Sequence, residues 1–383
     1  MRSWAQPQIL NGLDRERALA LVDEIVSALV PWSQRSLDSR PLAEIALFLA
    51  VVSQRREVEV DFSDLIQRSI DEAAAKPLNL SFDGLLGWSL TMEQALRLLG
   101  SESDVCEASD RCLAQSLEVA TPEADLQTDL LRGTAGCLAY LARWPSTPLV
   151  ERCRTGLLDR FEAQVGRLIA SDMPELGYAH GLAGLVAVLS DAVEAGWGRA
   201  RESHLLSRCV ERLLANRSSA GRFSFPFSSG SGRVAWCNCD MGIAIALLKS
   251  GRAMGQPAWV ELAQSMAQQM ASVEPEASGV TDANLCHGAA GAGLMLSLLG
   301  DQLRAPEVLA SATAWFNRVA NYRLVNAPLA GFLYDARADL ELPIWRRENV
   351  SILQGVSGIG LAIEGACGNV VGGEGWLKVF FFV

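Results

Sequence analysis

The chain has 383 residues, half of them hydrophobic, and a formal net charge of −11. That much apolar material supplies a sizeable core, and no proline-rich or low-complexity linker divides it, so a single repeat domain over residues 1–383 is expected. The acidic balance argues against a nucleic-acid backbone as the partner, because phosphate binding needs clustered lysine and arginine.

Met1 to Pro7 carry no apolar signal core, and no run of about 18 uncharged apolar residues follows, so a soluble, cytoplasmic protein is expected. Nine cysteines, an odd number scattered through apolar stretches, suit reduced thiols better than a disulfide framework. Cys112, Cys137, Cys153, Cys209 and Cys367 read as small buried residues.

The first helix is predicted from Asp14 to Pro31, with Leu19, Leu21, Val22, Ile25, Leu29 and Val30 on one stripe and Pro31 as its end. A second runs from Leu42 to about Gln54. It is apolar nearly all round and therefore expected to be buried on every side. This alternation recurs, and the apolar helices share a Gly-x-x-Gly opening: Gly84 to Gly87, Gly133 to Gly136, Gly181 to Gly184, Gly288 to Gly291 and Gly355 to Gly358. Cys239 to Gly242 and Pro41 to Glu44 occupy the same place with one and both glycines lost.

Openings near positions 41, 84, 133, 181, 239, 288 and 355 give a period of roughly 50 residues, the mark of a repeat whose units cannot bury their own apolar faces. Seven helix pairs closing on themselves would bury every apolar helix inside, with the glycine turns at one rim. Glycine suits a turn where backbones approach closely. Free N–H groups of the inner helices would then point toward one central cavity.

Two intervals are long. The first holds Arg222 to Gly232, aromatics mixed with Gly and Ser, which read either as a mobile substrate-facing flap or as a plain connection. The second, Ala330 to Glu348 with Pro343 and Trp345, reads as loop with short irregular structure and no evident chemistry. The apolar tail from Gly372 to Val383 is expected to dock against the first helices.

Chemistry concentrates at the turns. Catalytic zinc commonly takes three N/S ligands and keeps a fourth position open, and Cys237, Cys286 and His287 supply such a set. Cys286 and His287 are adjacent and Cys237 lies 49 residues upstream, so only a fold that returns the chain to one place can unite them. Of three histidines, His180 and His287 each precede a turn glycine, while His204 lies in a polar stretch and is expected to face solvent. Asp129, four residues before Gly133, and Arg233, four before Cys237, also fall near the rim.

Together the Gly-x-x-Gly openings, Tyr178-Ala179-His180-Gly181, Trp236-Cys237 with Arg233 ahead of it, and Cys286-His287-Gly288 resemble the lanthionine synthetase C-like cyclases over about Pro41 to Ile363. The resemblance implies an all-α (α/α)7 toroid with one zinc held by Cys237, Cys286 and His287. It implies a reaction in which cysteine thiols of a precursor peptide add to its dehydroalanine or dehydrobutyrine residues, giving lanthionine or methyllanthionine thioether rings. His180 is then the acid or base for the proton, Arg233 holds the developing oxyanion, and Asp129 orients or balances its neighbours. A chain with this domain alone looks like the stand-alone cyclase of class I lanthipeptide pathways. That places a dehydrated precursor, leader and core, as substrate, with a dehydratase, an exporter and attachment to a membrane-associated complex as further expectations.

Two departures matter. The family usually reads Trp-Cys-Tyr-Gly, whereas this chain has Trp236-Cys237-Asn238-Cys239. Cys239 reads as an alternative ligand, a redox-sensitive neighbour or a small buried residue, with the last preferred. Other readings are an enzyme adding glutathione to dehydroamino acids and a catalytically silent peptide-binding scaffold. A toroidal glycosidase would need a carboxylate pair where these turns carry sulfur and imidazole.

Overall fold

A computed structural model describes residues 4–76, 79–101, 104–119, 128–142, 147–172, 174–197, 200–218, 223–225, 232–335, 346–369 and 376–380. Among these, regular structure consists of fourteen α-helices, short 3-10 turns and one two-stranded pair, so the class is all-α. Seven apolar helices begin at the predicted openings: α2 (Ser39–Ser53), α4 (Leu85–Leu98), α6 (Thr134–Leu141), α8 (Leu182–Ala195), α10 (Asp240–Ala253), α12 (Ala289–Leu303) and α14 (Val356–Ala366). They alternate with α1 (Gly12–Ser33), α3 (Phe62–Ala75), α5 (Val105–Val119), α7 (Pro148–Ala170), α9 (Ala200–Ala215), α11 (Pro257–Ala271) and α13 (Pro306–Arg318).

Every residue of α6 and of α14 is buried, as helices without a polar face require. Each buried Leu or Ile in them contributes about 1.5–3 kcal/mol. The intervening helices bury one stripe. In α9 this is Leu205, Leu206, Cys209, Val210 and Leu213, with His204 exposed. Two expectations need correction. α1 continues past Pro31 to Ser33, because a proline in the last turn removes only one helical bond. Cys112 is exposed rather than buried, since Leu113 takes the inward position on α5 and turns its neighbour outward.

The helices pack as two compact units, Met1–Leu78 with Leu90–Ser103 and Glu274–Val383, and Asn79–Ser89 with Asp104–Val273. In the first, α2 packs on α3, α12 on α13, and α14 touches α12, α1 and α2. The last repeat therefore meets the first, and Ile9 N and Leu10 N donate to Ala366 O at 2.9 and 3.0 Å. Trp376 and Leu377 of the tail are buried. In the second unit, α6, α8 and α10 pack on α7, α9 and α11, and α8 contacts both α6 and α10.

The turns explain the glycines. Before α6, α8, α12 and α14 the chain crosses the helix's own first turn, and carbonyls of the turn accept N–H groups seven residues later. Thus Leu182 N donates to Glu175 O, Ala289 N to Asp282 O, Ala290 N to Ala283 O, Gly291 N to Asn284 O and Val356 N to Asn349 O, at 2.9 to 3.2 Å. These N–H groups are satisfied by the turn rather than left free as expected from the sequence, because a buried helix end must find partners within its own chain. The next carbonyl presses on the second glycine. A Cβ on Gly136, Gly184, Gly242, Gly291 or Gly358 would overlap the oxygen of Leu130, Tyr178, Trp236, Leu285 or Ile352, in each case six residues earlier. None of the five has a positive φ, so space rather than torsion demands glycine.

Gly184→Ala is expected to cost about 1–3 kcal/mol through this overlap. Gly156→Ala, inside α7 with nothing within 4 Å, is expected to stabilise by about 0.5–1 kcal/mol. Urea denaturation of the two variants checks the contrast; equal effects would contradict it.

Candidate active site

Because the openings repeat one geometry, successive turns stand side by side and bond through their backbones. In the second unit Asp83 N donates to Leu131 O at 2.7 Å, Leu130 N to Ala179 O at 3.2 Å and Ala179 N to Cys237 O at 2.9 Å. Tyr178 and Trp236, both buried, meet edge to face with ring centroids 5.9 Å apart. In the first unit Cys286 N donates to Leu353 O at 3.0 Å. Counted back from the second glycine, Ala179, Cys237, Cys286 and Leu353 share one position, and His180, Asn238, His287 and Gln354 share the next.

The ligand atoms of Cys237, Cys286 and His287 lie within 4.8 Å of one another, and all three residues are buried. His287 is 2% exposed, yet its Nδ1 has no hydrogen-bond partner among the described residues. A buried ring nitrogen is normally satisfied, so an orphaned one on a histidine grouped with two cysteines fits a metal ligand. Two thiolates and an imidazole are a donor set that zinc accepts.

Arg233 aims at this sulfur. Its Nη2 lies 3.9 Å from Cys237 Sγ, and its backbone N donates to Cys239 Sγ at 3.4 Å. Cys239, the N-cap of α10, has φ −138°, extended backbone that any residue adopts, so the lost glycine leaves no torsional strain. It is 2% exposed, burial pushes its thiol up to about 12, and it is not one of the three clustered residues.

His180 Nδ1 lies 3.3 Å from Asp129 Oδ2, and both line a cleft of about 380 Å³ with Thr128, Arg132, Glu175 and Leu185. Cys237 is linked to this pair through the backbone, by the bond to Ala179 just before His180. The hydrogen bond to Asp129 raises the His180 pKa, burial opposing it. Burial would raise the Asp129 carboxyl, but the bonds from His180 and the Arg132 N–H outweigh it, and its pKa is lowered. The pair therefore stabilises the fold between the ordinary carboxylate and imidazole ranges. On the His180 side the contribution is full below about 6.5 and lost as pH rises through the raised folded value; on the Asp129 side it is lost as pH falls through the lowered one. In Asp129→Asn the limb of the kcat/KM profile that reports His180 is expected to move to lower pH. An unmoved limb would contradict the pairing.

Several residues here carry no periodic sequence signal. Within the second long interval β1 (Tyr334–Asp335) pairs antiparallel with β2 (Arg346–Arg347), and the Tyr334 ring lies 5.8 Å from that of His287. Pro343 and Trp345 lie outside the described residues, as does most of Arg222 to Gly232. Of that first interval, Ser224 N and Phe225 N donate to the buried carboxylate of Asp240 at 2.6 and 3.0 Å, so this part is pinned to the start of α10. An acid just after the turn, at a position that is apolar or small in the other repeats, was the available hint.

Among the described residues no helix is long and apolar enough to cross a membrane. The family model "Lanthionine synthetase C-like protein" matches residues 42–365. Among solved structures, nisin cyclase aligns with a TM-score of 0.72 at 15% identity, covering 96% of this chain and 98% of that one. The helix content and this alignment fit the expected α/α toroid. A possible member of the GH105 family from Salmonella enterica subsp. enterica serovar Paratyphi A aligns with a TM-score of 0.40 at 14% identity, covering 83% of this chain and 97% of that one, too weakly to carry weight. No curated protein matches the chain.

Proposed function

We propose that this chain, which belongs to the lanthionine synthetase C-like family, is a zinc-dependent cyclase that closes thioether rings in a dehydrated precursor peptide. The observation that carries the reading is the buried grouping of Cys237, Cys286 and His287, whose imidazole has an orphaned nitrogen. These three residues would hold the zinc, which when bound supplies the substrate cysteine in its thiolate form at neutral pH.

The chain's own residues do the rest. Addition forms a bond from sulfur to the β-carbon of dehydroalanine or dehydrobutyrine, moves the π electrons onto the neighbouring carbonyl oxygen, and ends when a proton reaches the α-carbon. Arg233, beside Cys237 Sγ, stabilises the oxygen that gains charge. His180 exchanges the proton, as base toward the thiol or acid toward the α-carbon, and Asp129 fixes its ring through Nδ1. An upstream dehydratase acting on serine and threonine must supply this substrate, and cytoplasmic assembly with that enzyme and an exporter follows from the same reading.

The test is mass spectrometry of a dehydrated Cys-containing precursor after incubation with the zinc-loaded chain. Unchanged mass with thiols newly resistant to alkylation is expected. Unchanged mass with thiols still alkylated would overturn the proposal, and a gain of glutathione's mass when glutathione is present would replace it with adduct chemistry.

A further inference from the structure

The turn that carries two of the three clustered residues is organised by a carboxylate outside the cluster. Asp282 is 4% exposed, and its Oδ1 accepts from Asn284 N at 3.1 Å. Its Oδ2 accepts from Asn284 Nδ2 at 2.7 Å and from Asp335 N, on β1, at 2.9 Å. Asn284, 2% exposed, passes this on: its Oδ1 accepts from His287 N at 2.9 Å, and its Nδ2 lies 3.4 Å from His287 Nε2. A Cβ on Gly288 would overlap Asn284 N and crowd Asp282 Oδ1, so the glycine leaves room for this arrangement. Tyr334, next to Asp335, has its ring 5.8 Å from the imidazole, and its OH accepts from Gln354 Nε2 at 3.0 Å.

One buried anion thus binds three donors from two segments 53 residues apart, and one of those segments presents Cys286 and His287. A buried carboxylate needs such partners to stay charged. Removing it leaves buried N–H groups unsatisfied, which frees Asn284 and, with it, the backbone that carries His287.

We infer that Asp282, acting through Asn284, is a positioning residue that fixes the backbone of the turn at His287, and so the approach of Cys286 and His287 to the metal, with β1 of the second long interval clamped to the same carboxylate. This rests on reading Cys237, Cys286 and His287 as metal ligands. Partners of this kind typically change metal affinity by about 10–100-fold when lost.

The test uses the full chain, stripped of metal and titrated with zinc against a chromophoric chelator, and separately with cobalt(II) followed by visible absorption. In Asp282→Asn an amide NH₂ must face either Asn284 N or both Asn284 Nδ2 and Asp335 N, and zinc affinity is expected to fall by about 10–100-fold with an altered cobalt spectrum. Asn284→Ala cuts the link to His287 but keeps the bond from Asp335 N; it should show the same loss and carries the test if Asp282→Asn does not fold. Affinity within twofold of the unsubstituted chain with an unchanged cobalt spectrum, even alongside lower thermal stability, would overturn the inference and leave Asp282 a purely structural anchor. An unsubstituted chain that takes up no zinc would instead overturn the ligand assignment on which it rests.

Discussion

Cys286→Ala is expected to lower ring formation at pH 7 on the order of 10³-fold. A thiol of pKa about 8.5 is a few per cent ionised at that pH, so losing the site that holds it as thiolate costs roughly 30-fold. Losing its placement against the alkene adds about 10²-fold, the typical consequence of an ångström of misplacement. The two factors separate with pH. At about pH 9 the ionisation factor returns and the positioning factor does not, so the variant's residual rate should rise while staying far below that of the unsubstituted chain. A Cys286→Ala chain that cyclises at the full rate would remove Cys286 from the reaction.

His180→Ala is expected to retain zinc and to lower the rate by about 10²–10⁴-fold, the range for a positioned acid or base. Zinc retention follows from its place: His180 pairs with Asp129 and is not one of the three clustered residues. The residual product distinguishes its two roles. If His180 delivers the proton to the α-carbon, protonation from bulk water in the variant should give mixed configuration there. If it serves as base toward the thiol, the rate falls and the configuration is kept. A His180→Ala rate within a few-fold of the unsubstituted chain would exclude both.

The sequence was most informative where one structural demand repeats. Gly136, Gly184, Gly242, Gly291 and Gly358 were visible as a period because each must admit the carbonyl six residues before it. Once those turns align, Cys237 and Cys286 occupy equivalent places, and the approach of Cys237 to the Cys286-His287 pair was legible as a consequence. The Asp129 and His180 contact was less so; periodicity puts both near the rim, but their roles came from the family resemblance. Illegible was whatever depends on one irregular segment finding another. Asp282 accepts the N–H of Asp335 across 53 residues, and nothing in the composition of that second interval announces where it returns. The N–H groups at the inner helix starts were also misjudged, because their satisfaction by carbonyls seven residues earlier depends on the path of the turn rather than on side-chain type.

The central claim is that two sulfurs and one imidazole hold a single ion. Zinc should be counted per chain, by elemental analysis of gel-filtered protein, in the unsubstituted chain and in Cys237→Ala, Cys286→Ala, His287→Ala and Cys239→Ala. One zinc is expected in the unsubstituted chain and in Cys239→Ala, and none in the other three. Full zinc in Cys237→Ala, or its loss in Cys239→Ala, would contradict the assignment and move the site to a different set of thiols.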